Sequence, residues 1–236
     1  MVLQTLRVLM KHVLLVLTNA SKIGPRRRGT GFFFSEVSHP WHEFEHNGYA
    51  VDFGSILGGA PPADGYDEGD EVSKVFRHSK AYVRLQHSRR LNELEVTSYD
   101  AIFFPGGLGP MVDMPDNPAV KAAVAKAYDV GLVVGAVCHG PAALLNVRLP
   151  SGDYLVQAKR LTAFSNAEEE FYAQGDVPFL LQSALEGQGA KFVAADPWET
   201  NAIADGRLVT GQNPASGAAV ARGMMELLEA SDEGRV

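Results

Sequence analysis

The sequence contains a single cysteine, and its neighbours could make the thiol reactive. Cys138 follows the apolar run 132–137 and precedes His139, Gly140 and Pro141. This order predicts a buried strand, a tight turn that carries the thiol, and a helix start. A helix N-terminus and an adjacent histidine both favour a thiolate, so Cys138 is a candidate nucleophile and His139 a candidate acid or base. The alternative is an inert core cysteine, which is the commoner fate of a lone thiol.

A pair of glycines could supply backbone donors to such a nucleophile. Gly106 and Gly107 come shortly after the apolar run 100–104. A glycine backbone can approach a reacting atom closely, because no side chain intervenes. Together with the N–H that follows Cys138, these glycines could form an oxyanion hole.

The elements that would position these residues belong to an α/β sheet. Continuous apolar runs predict buried parallel strands, and they alternate with amphipathic segments that predict helices. The predicted strands cover 12–17, 49–53, 100–104, 132–137, one or two segments within 154–164, 191–194, 201–203 and 207–210. The predicted helices cover 32–47, 78–96, 117–128, 166–173, 177–187 and 214–230. The pattern indicates a flavodoxin-like three-layer sandwich with helices on both faces of a mostly parallel sheet.

The predicted topology brings the candidate residues to one edge of the sheet. Ligands of parallel sheets bind beyond the carboxyl ends of the strands. Glu36, Gly107 and Cys138 each lie after a predicted strand, so we expect them to share that edge. No repeat, linker or low-complexity tract divides the chain, and we therefore expect one domain over 1–236. The irregular segment 55–75 could cover the site.

Composition narrows the function classes and the compartment. Apolar residues make up 46% of the 236 residues, charged residues 21%, and the formal net charge is -7. This acidic, unpatterned balance argues against nucleic acid or an anionic membrane as the main partner. A single cysteine cannot form an internal disulfide, which favours the cytoplasm. Arg7 and Lys11 before the run 12–17 could suggest a secretory signal, but the run is short and is better interpreted as a strand.

A second motif must be weighed against the cysteine site. His42, Glu43 and His46 match the H-E-x-x-H pattern of zinc proteases on a predicted helix. The apolar stripe of that helix contains Trp41 and Phe44, which places both histidines toward solvent. No third ligand can be named, so we expect no metal site here.

Four segments resemble a known superfamily. Residues 136–142 resemble the nucleophile motif of the ThiJ/PfpI superfamily, a branch of the class I glutamine-amidotransferase-like fold. Residues 13–18, 30–40 and 205–216 resemble its first strand, its acid-carrying segment and its C-terminal signature. Together they are most similar to the heat-inducible subgroup, whose members act as glyoxalase III and are also described as chaperones. Segments 55–75 and 78–96 differ most from that subgroup.

The resemblance implies a role for each candidate residue. Cys138 would be the nucleophile, Glu36 would lie against its sulfur and share a proton with it, and His139 would be the acid/base partner. The superfamily also places an acidic residue after a strand like 161–164, and alignment selects Glu169 as the group that orients His139.

The identity of that acidic residue stays open at this point. Glu168, Glu169 and Glu170 are consecutive, and any of them could support His139. Asn166 and Glu169 also have the spacing of a capping box, which would give Glu169 a structural role instead.

The resemblance further implies a reaction without cofactor. Cys138 would attack the aldehyde of methylglyoxal, and a hemithioacetal would isomerise through an enediol before water releases lactate. The enzyme would be a glyoxalase III or D-lactate dehydratase type of hydro-lyase, with a small 2-oxoaldehyde substrate and a homodimer as the candidate assembly. Two other functions remain open: a stress-inducible holdase or redox sensor that uses Cys138, and a cysteine peptidase or amidase.

Overall fold

Strands and helices alternate along most of the chain. The structure is a computed structural model that describes residues 10–233, with side chains described through residue 230. In chain order the strands are β1 (His12–Leu17), β2 (Lys22–Ile23), β3 (Arg28–Gly29), β4 (Phe32–Phe33), β5 (Ala50–Ser55), β6 (Ala63–Asp64), β7 (Arg89–Arg90), β8 (Ala101–Phe104), β9 (Val133–Val137), β10 (Arg160–Leu161), β11 (Lys191–Phe192), β12 (Ala202–Asp205) and β13 (Leu208–Gly211).

The helices flank these strands. They are α1 (Ser35–His46), α2 (Glu71–Arg77), α3 (Lys80–Leu85), α4 (Pro110–Asp113), α5 (Pro118–Asp129), α6 (Asn166–Tyr172), α7 (Leu181–Gly187) and α8 (Gly217–Glu233). Short 3-10 helices cover Leu91–Glu93, Val96–Ser98, Gly140–Leu144 and Pro214–Ser216.

A seven-stranded sheet lies at the centre of the described part of the chain. Its spatial order is β12-β13-β9-β8-β1-β5-β7. All neighbouring strands run parallel except β12 and β13, which form an antiparallel hairpin. The hairpin turns at Gly206, which has a φ of 62°, and an Asp-Gly pair is typical of such two-residue turns. The mostly parallel sheet predicted from the apolar runs is therefore confirmed.

Side chains of β1 alternate between two apolar cores, one on each face of the sheet. Leu14 and Val16 belong to the core that also contains residues of α5. Val13, Leu15 and Leu17 belong to the core that contains residues of α1 and α8. Because strand side chains point alternately to opposite faces, this division confirms the three-layer sandwich.

The predicted helix over 78–96 is wrong for most of its length. Only α3 is α-helical there, and the chain then returns to the sheet as the edge strand β7. Ser88 exchanges two backbone hydrogen bonds of 2.9 Å with Gly59, and its hydroxyl lies 2.8 Å from that of Ser55. These long-range pairings outweigh the local helical pattern. The segment 55–75 is also less irregular than expected, because α2 begins at Glu71 after its N-cap Asp70.

The strands predicted within 154–164 and over 191–194 form outside the central sheet. They are reduced to β10 and β11, which pair in parallel as a separate two-stranded sheet. The helix predicted over 177–187 begins only at Leu181, after Pro178. The residue before a proline is biased away from helical geometry, which excludes Val177 from the helix.

None of the helices within residues 10–233 is both long and apolar enough to cross a lipid bilayer.

Candidate active site

Cys138 lies on a sharp turn at the end of β9. Its φ of 59° is in the left-handed region, which side chains larger than glycine rarely adopt. The turn is held on both sides, because the Cys138 N–H donates to Gly211 O (2.9 Å) and Phe164 N–H donates to Cys138 O (2.8 Å). A Cβ at Gly140 would lie 2.1 Å from Phe104 O, so only glycine allows the next residues to pack on β8. The predicted nucleophile elbow is present.

The helix expected after this turn is shorter and tighter than the sequence suggested. Residues Gly140–Leu144 form a 3-10 helix of five residues. So short a helix has little dipole to stabilise a thiolate. The Cys138 side chain is also buried.

Burial raises the pKa of the Cys138 thiol, whereas the sequence predicted surroundings that favour the thiolate. The pKa of Cys138 is raised well above its ordinary value, first by loss of solvent and second by the negative charge of Glu36. Hydrogen bonds from the N–H groups of Gly107 and His139 oppose the rise in pKa. The prediction of an environment that favours the free thiolate is therefore wrong for the isolated thiol, because solvent is excluded from the turn.

Glu36 lies in the first turn of α1 and is fully buried beside the sulfur. Its Oε2 accepts a 2.7 Å hydrogen bond from Gly106 N–H, whereas its Oε1 has no partner among the described residues that meets hydrogen-bond geometry. Burial raises the pKa of Glu36 to about 8, and weaker interactions with Cys138 and Gly106 lower it. Two acids in contact cannot both ionise easily, so Glu36 and Cys138 retain at least one proton at neutral pH.

Gly107, rather than Gly106, is the glycine whose N–H faces the sulfur. The Gly106 N–H is engaged by Glu36, so the expectation that both glycines serve an oxyanion is wrong for Gly106. Gly107 has a φ of 89°, and a Cβ there would lie 2.4 Å from Gly31 O. Only glycine fits this position, which leaves the N–H groups of Gly107 and His139 as the donors at the sulfur.

His139 connects the sulfur to a buried carboxylate. Its Nδ1 lies 3.3 Å from Cys138 Sγ, and its Nε2 lies 2.7 Å from Glu169 Oε2. Both side chains are buried, and the ring of Phe164 packs against the imidazole with centroids 4.4 Å apart. A carboxylate only accepts hydrogen bonds, so we assign the proton to Nε2 and a lone pair to Nδ1. The structure thus brings Cys138, His139 and Glu169 into one chain of contacts.

The capping box of α6 involves a different glutamate from the one expected. Ser165 is the N-cap, and its hydroxyl and backbone N–H both contact Glu168 Oε2. The expected pairing of Asn166 with Glu169 is therefore wrong, because α6 begins one residue earlier than that pairing requires. Glu170 is exposed. Of the three consecutive glutamates, Glu169 alone contacts His139 in the described structure.

A small cavity opens above Cys138. Its volume is about 60 Å³, well below the several hundred Å³ of typical sites for drug-sized ligands. Its walls are largely aromatic and apolar, formed by Phe33, Phe164, Tyr172, Trp198 and Pro214. The site can hold a molecule of only a few heavy atoms.

The residues of the cavity walls were not predicted from the sequence. Trp198 has a φ of 70° and donates its backbone N–H to Glu168 Oε1 (2.8 Å), in a loop with no periodic pattern. Tyr172 lies three residues after Glu169 on α6, so helical spacing could have placed it on the same face. Pro214 lies inside the C-terminal signature already noted.

The H-E-x-x-H motif lies on the surface of α1. The rings of His42 and His46 are exposed and stack with centroids 5.6 Å apart. Glu43 accepts a 2.7 Å ion-pair contact from Arg222. Across the residues that the structure describes, no group of three or more His, Cys, Asp or Glu side chains is arranged to hold a metal ion.

Similar proteins have the same fold. The structure of glyoxalase III from Candida albicans superposes with a TM-score of 0.83 at 29% identity, covering 92% of this chain and 97% of that chain. The 24 kDa rapid encystment protein of Francisella tularensis superposes with a TM-score of 0.89 at 34% identity, covering 93% and 99%.

Curated proteins of similar sequence include glyoxalases. Glyoxalase 3 of Candida albicans is 29% identical over 93% of this chain and 99% of its own length. A glutathione-independent glyoxalase of Saccharomyces cerevisiae is 30% identical over 87% of this chain and 93% of its own length. These relatives confirm the subgroup that the four sequence segments suggested. Residues 29–227, which include the elbow and every group in contact with its sulfur, match the DJ-1/PfpI family, and the chain belongs to that family.

Proposed function

We propose that this protein is a glutathione-independent glyoxalase that converts a small 2-oxoaldehyde such as methylglyoxal to lactate. The observation that carries the proposal is the buried pair of Cys138 and Glu36 beside His139, at the base of a cavity of about 60 Å³. Curated relatives named glutathione-independent glyoxalases support it.

The reaction begins at the sulfur. His139 Nδ1, 3.3 Å from Sγ, takes the thiol proton while the sulfur adds to the aldehyde carbon. The N–H groups of Gly107 and His139 stabilise the oxyanion that forms on that carbon. Glu169 holds the imidazole and stabilises its positive charge through the 2.7 Å contact to Nε2. The imidazolium then returns the proton to that oxygen, and the product is a hemithioacetal on Cys138.

Isomerisation then requires a base of moderate strength near the former aldehyde carbon. Once the sulfur is bonded to carbon it carries no charge, and Glu36 can ionise near neutral pH because its pKa is about 8. Glu36 and His139 move the proton from the first carbon to the second through an enediol. The resulting thioester of lactate is hydrolysed by water, which restores the thiol.

The cavity disfavours the peptidase or amidase alternative. A peptide needs an open groove on both sides of the nucleophile, whereas Trp198 and Pro214 close the space above Cys138. We also propose that the chain acts as one domain, since the central sheet contains strands from both ends of the described range. The classification as a D-lactate dehydratase type of hydro-lyase, the homodimer and the cytoplasmic location remain proposals; the single cysteine supports the last.

A lactate assay tests the proposed reaction. Purified protein should form lactate from methylglyoxal without glutathione. Cys138→Ser and Glu36→Gln should each lower kcat/KM by roughly 10³-fold or more, because one removes the nucleophile and the other the base. Glu93→Gln is the matched control, because Glu93 is exposed and does not line the cavity. Wild-type protein that consumes no methylglyoxal yet suppresses aggregation of a client protein would replace the enzyme with the holdase.

A further inference from the structure

A 2-oxoaldehyde has two carbonyl oxygens, and the groups described so far serve only one. The N–H groups of Gly107 and His139 face the sulfur and would bind the aldehyde oxygen. The ketone oxygen gains negative charge as the enediol forms, and a dry site must supply a donor for it. The inference below rests on the proposed glyoxalase reaction, because that reaction creates this second charge.

Few polar side chains line the cavity. They are Glu36, Cys138, His139, Tyr172 and the indole of Trp198. The first three have roles in proton transfer and bond formation. The side chain of Trp198 is about half exposed, so it lies at the outer wall. By elimination, the hydroxyl of Tyr172 is the inner donor that remains.

The tyrosine ring is held in place from several sides. It packs against Phe164 with centroids 5.5 Å apart and lies 6.4 Å from the imidazole of His139. Arg28 lies over the ring at 5.0 Å and donates to the Tyr172 carbonyl oxygen at 3.4 Å. The hydroxyl of Tyr172 makes no hydrogen bond with the side chains or backbone of the described residues, so it is available to a ligand.

The hydroxyl is also in the correct protonation state to donate. Burial raises the pKa of Tyr172 to about 12, and the charge on Cys138 is the second cause. Asp64 and Glu36 raise the pKa further, while Arg28 lowers it. The hydroxyl therefore stays protonated at neutral pH. The tyrosine ring lies next to the imidazole whose Nδ1 contacts the sulfur, which places Tyr172 within the site.

We propose that Tyr172 is a catalytic residue whose hydroxyl hydrogen-bonds the ketone oxygen of the substrate and so selects 2-oxoaldehydes over simple aldehydes. The isomerisation is balanced without net transfer from the tyrosine. The hydrogen on the first carbon moves to the second carbon, and the proton of the first hydroxyl moves to the former ketone oxygen. Tyr172 stabilises the charge on that oxygen and keeps its own proton.

The substitution Tyr172→Phe tests this role, because it removes the hydroxyl and keeps the ring that packs on Phe164. We expect kcat/KM for methylglyoxal to fall roughly 100-fold, mostly in kcat, as for loss of one oxyanion donor. At each pH, the rate of Cys138 alkylation by iodoacetamide should stay within about 2-fold of the wild-type rate, since the substitution does not alter the nucleophile. Tyr154→Phe is the control, because Tyr154 packs on Arg148 outside the cavity. Unchanged kcat in Tyr172→Phe would overturn the proposal.

A second measurement separates this inference from the proposed function. Methylglyoxal and propionaldehyde are each tested for protection of Cys138 against iodoacetamide, which requires adduct formation and no turnover. In wild type, methylglyoxal should protect Cys138 at a lower concentration than propionaldehyde. We define the ratio as the protecting concentration of propionaldehyde divided by that of methylglyoxal. Tyr172→Phe should reduce this ratio by about 10-fold, which corresponds to the loss of one hydrogen bond. A ratio unchanged by the substitution contradicts the role of Tyr172 even if lactate forms. A changed ratio without lactate would leave Tyr172 as the ketone donor and refute the glyoxalase.

Discussion

Two buried glutamates, one at the start of α1 and one at the start of α6, differ in how their oxygens are bonded. Glu168 accepts hydrogen bonds from Ser165 at one oxygen, and from Trp198 N–H (2.8 Å) and Asn213 Nδ2 (2.9 Å) at the other. Glu36 accepts one bond that meets the same geometry among the described residues, from Gly106. Both side chains are fully buried.

The difference shows that burial alone does not make a carboxyl group reactive. A buried carboxylate that accepts several hydrogen bonds is stabilised in its charged form, whereas one with few donors keeps a proton. Glu168 therefore joins the N-cap of α6 to the loop that carries Trp198, and it acts as a structural connection. Glu36 keeps an unsatisfied oxygen beside the sulfur, and its pKa rises to about 8.

The largest expected effect of this difference is on the pH dependence of stability. The pKa of Glu36 rises from 4.5 to about 8 on folding, so between these pH values the folded protein holds a proton that the unfolded chain has lost. Protonated Glu36 thus contributes most below pH 4.5, and its contribution is lost as the pH rises through 8. Relative to Glu36→Gln, the wild-type free energy of unfolding should fall by up to about 4 kcal/mol from pH 5 to pH 8.

Urea unfolding at several pH values measures this difference. The thiol of Cys138 does not contribute to the pH dependence between pH 5 and pH 8, because its pKa is raised on folding and it titrates above this range. Glu93→Gln should show the wild-type pH dependence. Parallel curves for wild type and Glu36→Gln would mean that folding does not raise the pKa of Glu36, which would contradict the role given to its unsatisfied oxygen.

A smaller loss is expected when the well-bonded glutamate is removed. Glu168→Ala strands the donors of Ser165, Trp198 and Asn213 in a buried site, and we expect the free energy of unfolding to fall by about 3 kcal/mol. Glu170→Ala, at the exposed neighbour two residues later, should change it by less than about 0.5 kcal/mol. Equal stability of the two variants would show that the buried hydrogen bonds of Glu168 contribute little.

The same comparison explains which features could be predicted from the sequence. The apolar runs of β1, β8 and β9 predict the sheet, and the sheet places Glu36 and Cys138 at one edge. The short strand β7 carries no apolar pattern of its own, because Arg89 and Arg90 pair through their backbone at the sheet edge. Local spacing therefore favoured a helix there.

The hydrogen-bond partners within the site could not be predicted from the sequence, for a different reason. Glu168 and Glu169 are adjacent and identical in type, and the direction of each side chain from α6 decides which one caps the helix. Likewise, Gly106 and Gly107 are adjacent and identical in type, but the N–H of Gly106 points to Glu36 and the N–H of Gly107 points to the sulfur. The position of Trp198 depends on long-range packing, which no spacing rule reveals, whereas helical spacing from Glu169 could have indicated Tyr172. The superfamily resemblance supplied Glu169, and the structure supplies its contact.

Glu169 has one hydrogen-bond partner, as Glu36 has, but that partner is the imidazole of His139 instead of a backbone N–H. We expect its variant to have the smallest effect of the three. Its Oε2 contacts His139 Nε2 at 2.7 Å, while its Oε1 has no hydrogen-bond partner in the described part of the chain. In Glu169→Gln the new amide can donate to Nε2, which moves the imidazole proton to Nδ1 and removes the acceptor that faces Cys138 Sγ. We expect kcat to fall about 30-fold with a change in unfolding free energy below about 1 kcal/mol.

Steady-state kinetics and iodoacetamide alkylation together test this tautomer argument. Both kcat and the alkylation rate of Cys138 should fall in Glu169→Gln, because each needs the Nδ1 lone pair to take the thiol proton. Glu170→Gln should match wild type in both, since that side chain is exposed and away from His139. A normal alkylation rate with reduced kcat would assign Glu169 to a later proton transfer. If both rates are normal, the contact with His139 only packs the helix, and Glu169 belongs with Glu168 as a structural carboxylate.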